Sequence, residues 1–258
     1  MEKKTIVITG STRGIGYGLA FELLKRGQQL VINGTSKASV DRRVDEFKEQ
    51  GYEVLGVAGD VSDESALGAI IEKAVEHFGK IDIWINNAGI PQSQKFFHEL
   101  ESKEIEDLIS VNVVASMIGT KAAIQYFRKQ GHGKIFNMEG FGSDGRMMEK
   151  LTLYGTSKRA INYFTKSISR EQKGEGIQIG ILSPGMVRTD FLADASSSGT
   201  PEEQARTKKV IDILSEDVEV VTDFLADRIL ASKKQYDRIE FLTKRRLLPK
   251  IFRLMFVK

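Results

Sequence analysis

The chain has 258 residues, 41% of them hydrophobic, a formal net charge of +3 and no cysteine. This length and apolar content suffice for one large core. The absence of cysteine excludes disulfides and thiolate catalysis, and three scattered histidines (His77, His98 and His132) argue against a metal-ligand set. So small a net charge gives no sign of nucleic-acid binding. With no leader-like N-terminal stretch and no apolar run of bilayer length in the sequence, a cytoplasmic setting is the expectation.

The apolar β-branched run Ile6-Val7-Ile8 passes through Gly10, Gly14 and Gly16 into a helical pattern carrying Ile15, Leu19, Phe21 and Leu23. A strand, a glycine turn and a helix in this order are built to hold an anion. Gly10 permits the sharp turn, while Gly14 and Gly16 leave room for a pyrophosphate against the amides of the helix N-terminus. Residues 29–33 read as a second strand, 39–50 as a helix with Val40, Val44 and Phe47 on one face, and 52–58 as a third strand. Gly59-Asp60-Val61 leads to a helix over 63–78 with Ser62 as its expected cap. The fourth strand, 81–85, holds Trp84 in a core pattern and runs into Asn86-Asn87-Ala88-Gly89. A long helical region, 102–130, precedes a fifth strand at 134–138. A helix over 154–171, a sixth strand at 177–182 and a short last strand at 239–242 complete the pattern.

This alternation predicts one α/β domain over 1–243, a doubly wound parallel sheet of Rossmann type, with a basic apolar tail at 244–258. Ligands of such sheets sit at the carboxyl ends of the strands. The segments found there are the glycine turn, Gly34-Thr35-Ser36-Lys37, Gly59-Asp60-Val61, Asn86-Asn87-Ala88-Gly89, Glu139-Gly140-Phe141-Gly142-Ser143 and Ser183-Pro184-Gly185, and each is small or polar.

Thr9-Gly-Ser-Thr-Arg-Gly-Ile-Gly16, Asn86-Asn-Ala-Gly89, Asn112, Tyr154-Gly-Thr-Ser-Lys158 and Pro184-Gly185 together resemble the short-chain dehydrogenase/reductase family, in its order and at its spacings. The resemblance implies an NAD- or NADP-dependent oxidoreductase of alcohols and carbonyls, commonly a homodimer or homotetramer. It implies cofactor contacts from Gly10, Ser11, Thr12, Arg13, Gly14, Ile15 and Gly16, from Asp60 and Val61, from Asn87, Ala88 and Gly89, and from Pro184, Gly185, Val187 and Thr189. Lys158 would hold the nicotinamide ribose, and Asn112 would break the long helix and hold a water linked to that lysine. The segment 191–210 is similar to the loop that covers the substrate.

The central chemistry also follows from spacing. Tyr154 and Lys158, four apart on a helix, share a face. An ammonium within a few ångströms favours the phenolate and is expected to lower the phenol pKa by roughly 1–3 from about 10. Tyr154 then protonates a carbonyl oxygen as hydride arrives, or takes the alcohol proton in reverse. The chain departs from the family where strand five ends: the usual Asn-x-Ser-Ser is Asn137-Met138-Glu139-Gly140 here. Ser143, eleven residues before Tyr154, is the nearest candidate for a carbonyl-orienting donor. This exit, with Tyr-Gly-Thr-Ser-Lys and Ser-Pro-Gly-Met-Val, is most similar to the chlorophyll b reductase branch, which implies a bulky carbonyl.

Strand two ends in Ile32-Asn33-Gly34-Thr35-Ser36, without the carboxylate that would bind a ribose diol and repel a 2′-phosphate. NADP is therefore admitted, with Arg13, Thr35, Ser36 and Lys37 as phosphate partners. The function expected is NADP-dependent interconversion of a sizeable apolar carbonyl compound and its alcohol. A catalytically inactive NADP(H)-binding sensor or interaction protein is the competing class, favoured by the missing serine motif and opposed by the intact Tyr154–Lys158 pair. The tail carries six cations and no acid. Pro249 is expected to interrupt any single helix there. The tail either packs on the protein or a neighbouring subunit, cations at the rim, or makes a peripheral contact with an anionic membrane; packing is the expectation.

Overall fold

The computed structural model describes residues 2–189, 208–209 and 211–256. Strands β1 (Thr5–Ile8), β2 (Gln29–Gly34), β3 (Val54–Ala58), β4 (Ile83–Asn86), β5 (Gly133–Met138), β6 (Ile177–Ser183) and β7 (Arg238–Glu240) form one sheet. Its order is β3-β2-β1-β4-β5-β6-β7, parallel throughout. Alternation along the strands divides the core in two. Ile6 and Ile8 pack under helices α1 (Gly14–Lys25) and α2 (Lys37–Glu49), whereas Val7 and Trp84 pack under α3 (Glu64–Phe78) and α5 (Ala115–Gln130). Between β3 and β4 the chain reverses its direction of travel across the sheet, which opens a crevice at the carboxyl ends of β1 and β4.

Side-chain amides close the sheet beneath that crevice. Asn87 Nδ2 donates to the carbonyls of Thr9 and Gly10, both at 2.9 Å, and Thr9 Oγ1 accepts from the amides of Asn87 and Ala88 at 3.0 and 3.1 Å. Deeper, Trp84 Nε1 donates to Asn86 Oδ1 at 2.7 Å, Asn86 Nδ2 to Asn137 Oδ1 at 2.7 Å, and Asn137 Nδ2 to Thr165 Oγ1 at 2.9 Å. This buried row ties β4 and β5 to helix α6 (Thr152–Glu171).

Several elements differ from expectation. Asp63 caps α3, accepting from the Ser65 amide at 2.9 Å, because the Ser62 hydroxyl is drawn back to Asp60 Oδ1 at 2.8 Å. The long helical region is α4 (Ser102–Ile109), a π-helical turn at Ser110–Val114, and α5. Contrary to the reading of no bilayer-length run, Ser102–Gln130 is long and apolar enough to cross a membrane by length and composition; half of its apolar window is buried within the protein. A helix without a sequence forecast, α7 (Val218–Ala231), buries Val221, Thr222, Leu225 and Ile229 beside α1.

The tail is one helix, α8 (Lys244–Phe256), with Pro249 inside it. Proline there forfeits the bond to the Arg245 carbonyl, and both residues are exposed, so water can serve that oxygen. Lys244 and Arg245 are exposed, as a rim position requires, whereas Lys250 and Arg246 turn to the body. Lys250 donates to the carbonyls of Leu214 and Ser215 and pairs with Glu216 at 2.7 Å, and Arg246 stacks on Phe241 at 4.1 Å, while Leu248 and Phe252 are exposed.

Asn86→Ala strands the Trp84 indole N–H and removes the short bond to Asn137. At about 1–3 kcal/mol for each buried group left unpaired, the expected loss is about 2–4 kcal/mol. Urea denaturation checks this, and an unchanged midpoint contradicts it.

Candidate active site

Gly10 and Gly14 adopt left-handed φ values of +61° and +55°, which residues with side chains rarely take. Gly16 answers to packing: a Cβ there would strike Asn87 Nδ2 and the Gly10 carbonyl. Its bare α-carbon therefore also seats α1 against the exit of β4. Arg13 precedes α1 and no side chain caps the helix, whereas Ser36 caps α2 and Asp63 caps α3. The open first-turn amides and the positive end of the helix dipole suit a phosphate. This uncapped end, with left-handed Gly10 before it and left-handed Gly14 as its first residue, fits a dinucleotide pyrophosphate.

Around the turn the forecast residues divide by role. The Ser11 hydroxyl is committed inside the fold, donating to the Ile8 carbonyl at 2.7 Å and accepting from the Asn33 amide at 2.9 Å. Thr12 lies over Gly34, and its carbonyl accepts from Arg43 Nε at 3.0 Å. Arg43, unmarked in the sequence, stacks on Tyr17 at 4.2 Å and pairs with Glu46, bringing a guanidinium to the glycine turn. Arg13, Thr35, Ser36 and Lys37 are exposed nearby in sequence, and Lys37 is paired with Asp41. Asp60 holds the Ser62 amide at 2.9 Å, and Val61 belongs to the core under α3. After β6, Pro184 and Val187 are buried and Gly185 is exposed. The Thr189 methyl would lie 3.6 Å from a Cβ on Gly14, so this exit closes over the glycine turn. The expected covering segment, 191–210, lies outside the described residues except for Lys208 and Lys209.

Asn112 occupies the π-helical turn and clamps Ile90, accepting from its amide at 2.8 Å and donating to its carbonyl at 3.0 Å. Its Oδ1 and Lys158 Nζ converge on Gly89, at 3.2 and 3.6 Å from where a Cβ there would stand. Lys158 is 5% exposed, donates to the Met138 carbonyl at 3.4 Å and lies 5.5 Å from the centre of the Tyr154 ring. Burial pulls its pKa down to about 8 against an opposing pull from the Glu139 carboxylate. Burial also pushes the Tyr154 phenol well above its ordinary value, reversing the expected lowering. Desolvation of a phenolate outweighs the nearby ammonium. The phenol thus stays protonated at neutral pH and is a weaker acid than an unburied one.

The loop after β5 lies along the first turns of α6. A Cβ on Gly140 would fall 2.5 Å from Tyr154 Oη, and one on Gly142 2.5 Å from the Gly155 α-carbon, so both bare positions let the loop approach. Ser143 is buried, and its carbonyl accepts from Arg159 Nη1 at 2.8 Å. The Glu139 carboxylate is held by Asn162 at 2.9 Å and Arg238 at 2.5 Å. Gln92, also unforeseen, is buried and accepts from the Tyr154 amide at 3.0 Å, capping from a distant loop the helix that carries the phenol.

Lys158 is expected to titrate near pH 8, well below the usual lysine value of about 10.4. Acylation by acetic anhydride across pH, read on the Lys158 peptide by mass spectrometry, gives the midpoint; a value above 10 contradicts the burial argument.

Comparison with known proteins places this geometry. Residues 4–199 match the short chain dehydrogenase family. The chain is 38% identical over 260 residues to chlorophyll(ide) b reductase NOL, chloroplastic, of Oryza sativa subsp. japonica, covering 96% of this chain and 74% of that protein. It is 31% identical to a 3alpha-hydroxysteroid dehydrogenase of Mediterraneibacter gnavus, covering 75% and 77% of the two chains. Among solved structures, a 3-ketoacyl-(acyl-carrier-protein) reductase from Brucella melitensis complexed with NADH superposes with a TM-score of 0.78 at 26% identity, over 93% of this chain and 96% of that one. With the uncapped glycine turn, the Tyr154–Lys158 pair and the Asn112 turn at one sheet edge, the chain belongs to the short-chain dehydrogenase/reductase family of nicotinamide-dependent oxidoreductases.

Proposed function

We propose that this protein is an NADP-dependent oxidoreductase that interconverts a sizeable apolar carbonyl compound and its alcohol. The observation that carries the proposal is the placement of a protonated Tyr154 phenol and a buried Lys158 ammonium on one face of α6, in the crevice where the glycine turn opens. The nicotinamide cofactor supplies the hydride when bound. Tyr154 Oη delivers its proton to the carbonyl oxygen, Lys158 steadies the charge that remains, and Asn112 fixes the Gly89-Ile90 wall beside them. Ser143, held against α6, is the proposed carbonyl-orienting donor. Glu139 is excluded from that task because both its oxygens are engaged elsewhere.

The substrate class is supported by the two relatives named for chlorophyll(ide) and hydroxysteroid substrates, both built on large apolar ring systems. NADP preference is supported by the exit of β2, which lacks a carboxylate, and by Arg13 and Arg43 flanking the turn. A cytoplasmic setting rests on composition, and a homodimer or homotetramer on family habit. Peripheral membrane contact rests on the exposed Leu248 and Phe252 of a basic helix. The intact Tyr154–Lys158 pair opposes the competing reading of an inactive NADP(H) sensor.

Screening bulky aldehydes and ketones for NADPH oxidation tests the reading. Tyr154→Phe is expected to remove at least about 100-fold of kcat, in line with a lost general acid. Ser143→Ala is expected to lower kcat far more than it weakens NADPH binding. Gly140→Ala, which displaces the phenol, is expected to behave like Tyr154→Phe; unchanged turnover in Tyr154→Phe refutes the assignment.

NADPH is expected to bind at least about tenfold more tightly than NADH, about 1.4 kcal/mol. Arg13→Ala and Arg43→Ala should each narrow that gap, and equal dissociation constants in the unaltered protein would refute NADP preference.

A further inference from the structure

Glu139 stands where the family places its serine motif, yet its carboxylate is 2% exposed and does not reach for a substrate. It closes the exit of β5, where its amide still bonds to the Leu182 carbonyl at 3.0 Å as a strand residue would. The residue before it, Met138, supplies the carbonyl that accepts Lys158 Nζ. Asn162, which donates to Glu139 Oε2, is one helical turn beyond Lys158 on α6. Carboxylate and ammonium therefore share the wall between α6 and the end of β5. On the far side, Arg238 of β7 binds Glu139 Oε1 and continues to Glu240 at 3.1 Å, at the surface.

The surroundings of Lys158 hold little other charge among the described residues. Tyr154 on its own helix is kept neutral by burial, and Asn112, Ser157 and Gly89 are uncharged. On α4, Glu104 is turned to Ser93 and Lys95, and Asp107 to Lys103. Arg159 is turned to the Ser143 carbonyl, and Tyr236, beside Arg238, is held protonated by burial and by Glu139. Among the described residues Glu139 is the carboxylate set in the same wall as the ammonium, next in the chain to Met138, which binds Lys158, and held by Asn162 one turn along the same helix; its charge favours the protonated amine.

We propose that Glu139 is a positioning residue for Lys158: a fixed, buried counter-charge, held by Asn162 and Arg238, that keeps the buried ammonium protonated. The rationale is general. A buried lysine with no opposite charge loses its proton near neutrality, and an opposite charge in the same buried surroundings favours keeping it. The chain thus carries, in place of a hydroxyl aimed at the substrate, a carboxylate that sustains the cation behind the phenol. The proposal rests on the functional reading for its purpose, while its physical content can be tested without substrate or cofactor.

The test is the Lys158 titration midpoint, measured by acylation with acetic anhydride in the protein as it stands and in Glu139→Gln, which keeps shape and removes charge. The expected result is a midpoint about one pH unit lower, the low end for loss of a nearby opposite charge. Glu139→Asp, which keeps the charge, should remain within about half a unit of the unaltered protein. Should Glu139→Gln fail to fold because Arg238 is left unpaired, the double variant Glu139→Gln/Arg238→Gln removes both ions together. Its midpoint is expected to fall as well, since Arg238 lies on the far side of the carboxylate. In an active preparation, the alkaline limb of kcat/KM should move down by the same amount. A fall in melting temperature with an unmoved midpoint would show that Glu139 is structural only and overturn the proposal. A shifted midpoint in a protein inactive on every carbonyl would uphold it while refuting the functional reading.

Discussion

The structure depends on keeping an ammonium out of water. Lys158 is almost wholly buried, and an ionised amine in such surroundings costs several kcal/mol unless opposing charge and hydrogen bonds offset it. Behind Lys158, on the other side of the Met138 carbonyl that it bonds, charges alternate from Glu139 to Arg238 to Glu240, running to the edge strand β7. Only the outer members meet solvent, at 31% and 37% side-chain exposure, so the desolvation cost falls on the inner pair. That pair is where the fold supplies most: a backbone carbonyl for the ammonium and the Asn162 amide for the carboxylate. The seventh strand thus has a part in the site that its three residues would not suggest.

The second requirement is rigidity beneath the crevice. The groups that meet there come from the exits of different strands and from helices, and loops alone would not keep them within tenths of an ångström. The buried row from Trp84 through Asn86 and Asn137 to Thr165 fixes β4, β5 and α6 to one another, and the Thr9–Asn87 bonds fix β1 to β4. Because every member of the row from Trp84 to Thr165 is buried, any slip there leaves a donor or acceptor unpaired, which makes that row nearly all-or-none. Gln92 extends the same logic to the helix that holds Tyr154, supplying an N-terminal acceptor that the local sequence, Leu151-Thr152-Leu153, does not provide.

What was legible in the sequence was local or periodic. The glycine turn, the β-branched runs and the four-residue spacing of Tyr154 and Lys158 need only neighbours in the chain, and the seven-stranded sheet follows from their alternation. What escaped depends on contacts across the chain: Gln92 with Tyr154 over 62 residues, and Glu139 with Arg238 over 99. Helix α7 escaped because Val220 is exposed beside buried Val221, which blurs its apolar stripe. The direction of the Tyr154 shift escaped for a related reason. Spacing shows that an ammonium is near, but only packing shows how little water remains to stabilise a phenolate.

The tail shows the same dependence on what the rest of the fold presents. Composition gave α8 an apolar face to bury and a basic face for solvent, and the protein uses part of it the other way round. The body offers the tail acceptors: the carbonyls of Leu214 and Ser215 at the end of a short helical turn, where the dipole is negative, and the Glu216 carboxylate beside them. A cation gains more at such a place than an alkyl chain does, since the free carbonyls would otherwise need water. Lys250 therefore docks inward, with Arg246 lying over the Phe224 and Phe241 rings at 4.8 and 4.1 Å. Once those two residues set the rotation of the helix, Leu248 and Phe252, each two residues from one of them, are carried to the outer side. Lys250 and Arg246 thus attach the described part of α8 through charge, and that contribution weakens with salt.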